Sequence, residues 1–240
     1  MAAPRPAKTG RQPHKPVQTP AQTPQPTAPA RRPALLVLAG VNGAGKSSIG
    51  GNVMLRRAGL TWFNPDSYTR VLAQAGLPAS EANARAWQHG VDLLDQAVAA
   101  GHSHAFETTL GGATMAQKIA AAARTHDVLV WFCGLSSPEQ HIARVAARVL
   151  AGGHDIPAAK IRDRWVRAPL NLINLMPHLS ELRVFDNSAE AAPGSPVQDP
   201  LLVLHVRSGA VVFPLAQQHL QRTPGWAKAI VQAARNFGRR

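Results

Sequence analysis

The chain has 240 residues, 45% of them hydrophobic and 16% charged, with a net charge of +13, which allows one full core plus a tail. No run approaches the roughly 18 consecutive apolar residues of a membrane span. The one cysteine, Cys133, excludes an intramolecular disulfide and fits a reducing cytoplasm.

The charge reads first as a nucleic-acid signal, but its position argues otherwise. The first acid is Asp66; residues 1–65 carry nine Lys/Arg, which leaves only +4 for residues 66–240. Residues 1–33 hold nine of the 20 prolines, six Lys/Arg, no acid, and Val17 alone among the larger aliphatic side chains. Such a stretch buries too little apolar surface to offset its ordering entropy, so a disordered basic tail is expected before a domain spanning 34–240. A flexible basic arm binds polyanions weakly, and an acid-poor tail also fits a targeting segment. Arg31-Arg32 imitates a twin-arginine export signal, but the short apolar run after it leads into a loop of a different kind.

That run, Ala34–Ala39, reads as a buried strand. It is followed by Gly40-Val41-Asn42-Gly43-Ala44-Gly45-Lys46-Ser47, which meets the phosphate-loop pattern G-x-x-x-x-G-K-[ST] at every fixed position. The glycines let main-chain N–H groups turn around a β-phosphate, and the next helix aims its positive end there. Lys46 reaches the β/γ oxygens, and Ser47 is a ligand for Mg²⁺. With Ser48 beside it, the loop predicts binding of ATP or GTP.

Strand-length apolar runs then alternate with helical patterns, the signature of βα units around a parallel sheet. Further strands are expected at 61–64, 104–107, 128–133, 182–185 and 201–206. Helices are expected at 47–58, 67–75, 80–100, 113–124, 138–151 and 157–175. In the helix from Pro138, residues Ile142, Val145, Ala146, Val149 and Leu150 fall on one face. Ligands of such folds bind beyond the carboxyl ends of the strands, so polar groups there are the first candidates for chemistry.

The second strand ends in Asn64-Pro65-Asp66. Transfer of a phosphoryl group to an alcohol needs a group that orients the hydroxyl and takes its proton, and Asp66 is the candidate; capping the next helix is the structural alternative. The third strand ends in Glu107-Thr108-Thr109. Glu107 is placed to hold a Mg²⁺-bound water, to meet a sugar hydroxyl, or to face solvent, and the threonines suit a polar acceptor. Further on, Arg144, Arg148, Gly152-Gly153-His154, Lys160, Arg162, Arg164 and Arg167 form a basic cluster. Lys160, Arg164 and Arg167 share one face of a helix, a costly stacking unless anions meet it. A lid over about 144–175, hinged at the glycine pair, would set such arginines on a transferring phosphoryl group; a solvated basic face is the bland alternative. Asp186-Asn187-Ser188 reads as a loop near the nucleotide base or a turn, and Cys133 as a buried, inert thiol.

Taken together, the chain resembles the zeta-toxin family of phosphate-loop kinases over about residues 34–190. The likeness rests on the phosphate loop, Asn64-Pro65-Asp66, Glu107-Thr108-Thr109-Leu110, Gly152-Gly153-His154-Asp155-Ile156-Pro157, Arg164-Trp165-Val166-Arg167, Asn171-Leu172 and Asp186-Asn187-Ser188. It implies a nucleotide-kinase-like fold and transfer of the γ-phosphate of ATP to a small acceptor such as UDP-N-acetylglucosamine. It also implies an antitoxin partner. On this resemblance Lys46 and Ser47 bind phosphate and Mg²⁺, Asp66 is the base, Glu107 lies in the acceptor site, and two of Arg148, Arg164 and Arg167 contact phosphate; Asn64, Thr108 and Thr109 are acceptor-side candidates by their place at the strand ends. Two other readings stand beside it. A polynucleotide kinase would use the basic arm and Arg239-Arg240, though aromatic residues at 5% give it little stacking surface. The other is a nucleotide-dependent binding module without catalysis.

Overall fold

β1 (Ala34–Ala39) lies at the middle of a seven-stranded sheet, in a computed structural model that describes residues 31–49, 62–153, 155–190 and 198–237. Its neighbours are β3 (His104–Thr108) and β4 (Asp127–Gly134); β2 (Trp62–Phe63) flanks β3, and β5 (Glu181–Asp186) flanks β4. These five strands are all parallel. A central parallel strand is covered on both faces, and β1 is apolar throughout for that reason. Leu35, Val37 and Ala39 join one buried cluster, while Leu36 and Leu38 join another on the opposite side.

The sheet departs from the all-parallel expectation at its far side. β6 (Leu201–Arg207) and β7 (Ala210–Phe213) extend it antiparallel, in the order β2-β3-β1-β4-β5-β6-β7. A parallel pair needs a crossover of a dozen or more residues, whereas only Ser208 and Gly209 separate β6 from β7. Both take positive φ, 49° and 76°, the conformation of a tight hairpin turn.

The helices fall near their expected places: α1 (Pro65–Gln74), α2 (Ala79–Ala100), α3 (Ala113–Ala122), α4 (Pro138–Leu150) and α5 (Ala158–Leu175), with α6 (Gln217–Gln221) and α7 (Lys228–Phe237) near the end. The helix expected at 47–58 begins as a 3₁₀ turn over Lys46–Ile49, and the rest of it lies outside the described residues. The tail 1–30, His154 and Arg239-Arg240 also lie outside them, as do the side chains of Ser47 and Ser48.

The α4 face is rotated from the expected one. Val145 is buried with Ile142 and Val149 packed beside it, but Ala146 is exposed and Leu150 is 92% exposed; the polar His141 takes the remaining inward position. α5 packs against α3, α4 and α7 and drives Ile161, Ala168, Leu172 and Leu175 into the main cluster. Leu182 of β5 is fully buried within that cluster. Leu182→Ala is expected to lower unfolding free energy by about 2–5 kcal/mol, read as a reduced urea midpoint at unchanged slope.

Candidate phosphate-binding and acceptor cleft

The phosphate loop is held from behind by buried contacts. Gly40 has φ +143°, and a Cβ there would sit 2.3 Å from the Cys133 carbonyl oxygen. Gly43, at φ +80°, lies against helix α4, where a Cβ would come within 2.7 Å of the His141 carbonyl oxygen. The Ala44 carbonyl accepts from Cys133 Sγ at 3.1 Å and from Asn187 Nδ2 at 2.9 Å. The Asn42 carbonyl receives His141 Nδ1 at 2.8 Å. Burial pushes the Cys133 thiol up to about 12, so it is inert, as expected.

His141 and Asn187 are supports that the sequence did not single out for this duty. A histidine on an apolar helix face and an asparagine after a strand have many uses, and only the fold brings both under the loop. Because a carbonyl can only accept, His141 Nδ1 carries the hydrogen. Burial, more than the nearby charges of Lys46 and Arg144, lowers its pKa to about 4, while the bond to Asn42 pulls the other way.

In front of the loop opens a cavity of about 640 Å³. Asn42 and Lys46 line it from the phosphate loop, Asn64 and Asp66 from the end of β2, and Glu107, Thr108 and Thr109 from the end of β3. Lys160, Arg164 and Arg167 line it from α5, on one face as their spacing predicts. Lys46 Nζ donates to the Gly40 carbonyl at 3.0 Å. Arg164 donates to Asn42 Oδ1 at 2.6 Å, and its stem lies close over Gly111, where a Cβ would come within 2.5 Å of Cγ. Burial lowers the pKa of Arg164, against the pull of Asp66 and Asp163.

Asp66 does not cap its helix. Asn64 does, accepting from the Ser67 N–H at 3.1 Å, and Asp66 sits in the first turn with Oδ2 at 3.2 Å from Arg148 NH1. Asn64 Nδ2 also donates to Glu107 Oε2 at 3.1 Å. Glu107 is only 8% exposed, and burial raises its pKa; Asp66 adds to the rise, while Lys46 and Arg148 oppose it. Thr108 Oγ1 accepts from the Leu110 N–H at 3.0 Å, which ties its hydroxyl into a turn where Leu110 holds φ +54°. Arg167 pairs with Asp163 at 2.7 Å. Arg144 is turned elsewhere, donating to the Asn187 and Ala189 carbonyls, and Arg162 pairs with Glu139. Asp186 accepts from Trp226 Nε1 at 2.9 Å.

The parallel sheet of order 2-3-1-4-5, the phosphate loop after its central strand and the flanking helices define a P-loop nucleoside-triphosphate-binding fold of the kinase-like kind. The family profile described as an AAA domain matches residues 35–166, over half the chain, and the chain belongs to that family. No curated protein matches it. Among solved structures it is similar to a chain of the AvrRxo1-ORF1:AvrRxo1-ORF2 complex with ATP, with a TM-score of 0.56 and 17% identity over 88% of this chain and 76% of that one. The native form of that complex gives 0.59 and 19% over 86% and 71%. The PezAT toxin-antitoxin system of Streptococcus pneumoniae gives 0.52 and 13% over 87% and 86%. The likeness to toxin-type P-loop kinases read from the sequence thus holds at the level of the fold.

His141 makes the phosphate loop sensitive to acid. Its folded pKa lies below the ordinary 6.5, so the stability tied to the neutral ring is complete above pH 6.5 and is lost as pH falls toward about 4, by about 3 kcal/mol in all. Urea unfolding from pH 7.5 to 4.5 is expected to show this loss in the wild type and a correspondingly shallower one in His141→Gln.

Proposed function

We propose that the chain is an ATP-dependent phosphotransferase acting on a hydroxyl of a small acceptor. The observation that carries this reading is that Asp66 and Lys46 line one cleft, a carboxylate and a phosphate-loop ammonium facing shared space. The site fits a triphosphate: the loop is shaped where Cβ atoms would clash at Gly40 and Gly43, and Lys46, Arg148 and Arg164 bring positive charge to its front. ATP bound there would supply the phosphoryl group. Among the described residues no three His, Cys, Asp or Glu side chains form a cation site of their own, so Mg²⁺ would come with the phosphates and take the Ser47 hydroxyl.

In this reading the main-chain amides of the loop up to Ser48, apart from the Ala44 N–H that donates to the Val41 carbonyl at 3.0 Å, bind phosphate and Lys46 holds the terminal oxygens. Asp66 Oδ2 takes the acceptor proton once Arg148 turns from it toward the more highly charged phosphates. Arg164 and Arg167 approach from α5 and, with Lys160, help exclude water. Glu107, Thr108 and Thr109 orient the acceptor. By the resemblance to zeta toxins, a nucleotide sugar such as UDP-N-acetylglucosamine is the first acceptor to try. The complexes of AvrRxo1-ORF1 with AvrRxo1-ORF2 and of PezAT support an antitoxin protein as partner.

Incubation with Mg·ATP and UDP-N-acetylglucosamine, followed by mass spectrometry, is expected to show a phosphorylated sugar; no product removes that acceptor. Asp66→Asn is expected to slow transfer about 10²- to 10⁴-fold while ATP still raises the melting temperature. Near wild-type turnover in that variant defeats the base assignment. Lys46→Ala is expected to lose the ATP-induced rise itself.

A further inference from the structure

We propose that Asn64 is a positioning residue whose single amide sets both carboxylates of the acceptor side, Asp66 through the start of α1 and Glu107 by a direct hydrogen bond. What those carboxylates do rests on the phosphotransferase reading; how they are held does not.

The geometry leaves the amide one orientation. The Ser67 main-chain N–H can only donate, so Asn64 Oδ1 must face it, at 3.1 Å. The same rotation carries Nδ2 to Glu107 Oε2, also at 3.1 Å. Turned over, the amide would set donor against donor and oxygen against carboxylate. The main chain at Asn64 is extended, with φ −117° and ψ 110°, and Pro65 opens the helix, so the cap also fixes where Asp66 leaves the first turn. Asp66 then meets Arg148 from α4.

Glu107 is nearly buried at the end of β3, where ionisation is costly. The charged groups around it are Lys46 from the phosphate loop, Asp66 from α1 and Arg148 from α4. A neutral amide donating to Oε2 favours the ionised form without cancelling its charge, and leaves Oε1 to accept from an acceptor hydroxyl. Aspartate would cap α1 as well as asparagine does, with a favourable charge at the helix start. What asparagine adds at position 64 is the donor.

That difference supplies the test. Asn64→Asp keeps the cap and the shape but turns a carboxylate oxygen toward Glu107, so the pair retains a proton to higher pH. Thermal melts from pH 5 to 8 are expected to place Asn64→Asp below wild type at pH 8, with the gap closing as falling pH protonates one carboxyl. Adding Glu107→Gln to that variant is expected to restore the melting temperature at pH 8, because the new amide can donate in the opposite sense. In the wild type with Mg·ATP, basal hydrolysis gives a pH profile whose acid limb is expected to move up by about one pH unit in Asn64→Asp at unchanged Kd for ATP. An Asn64→Asp protein as stable as wild type at pH 8, or a deficit that ignores pH, overturns the proposal and leaves Asn64 a cap only. Failure of Mg·ATP to raise the wild-type melting temperature counts against the phosphotransferase reading instead, and the pH series of melts still decides the role of Asn64.

Discussion

The fixed shape of one loop of main chain is what the rest of the site depends on. Three buried side chains, Cys133, His141 and Asn187, bond to the carbonyls of Asn42 and Ala44 and hold the loop from behind. Tying down the carbonyls on the core side leaves the N–H groups of the same peptides free to turn toward the cleft. The supports come from β4, α4 and the end of β5, so packing of the whole central sheet is transmitted to the loop. Gly40 and Gly43 complete the arrangement by letting neighbouring backbone come closer than any side chain would permit.

Charge in the cleft is balanced across elements. Two acids, Asp66 in the first turn of α1 and Glu107 at the end of β3, face cations carried by the phosphate loop, α4 and α5. Arg148 reaches back from α4 to Asp66, and Arg164 reaches the loop residue Asn42. Helices α4 and α5 therefore bond to both halves of the cleft, α4 through Arg148 and α5 through Arg164. Of the two contacts only Arg148–Asp66 is an ion pair, and a partly exposed pair of this sort contributes little stability.

Much of this was legible in the sequence because strong local signals coincided. An apolar run ending in the phosphate loop and three basic residues at helical spacing after Pro157 mark elements, and β1 and α5 follow them; the helix after β2 is expected from residue 67 with Asp66 as its alternative cap, whereas it starts at Pro65 and Asn64 caps it. What escaped depended on contacts distant in sequence. Asn187 lies 143 residues from the carbonyl it supports, and His141 lies 99 from its own. The β6–β7 hairpin was missed for a different reason: Ser208-Gly209 is a turn signal, but the apolar residues after it were too few to stand out as a strand. Leu150 misled through its spacing, since it extends the apolar stripe of α4 by one turn beyond the core that the stripe serves.

The sheet is short at both rims. On one side β2 has two residues, and on the other β7 has four, reached through the tight turn at Ser208-Gly209. Strand-by-strand addition of another polypeptide needs a longer ladder of unpaired peptide groups than either rim presents among the described residues. Along these described rims another polypeptide would gain few main-chain hydrogen bonds, and edge-to-edge stacking there is correspondingly disfavoured.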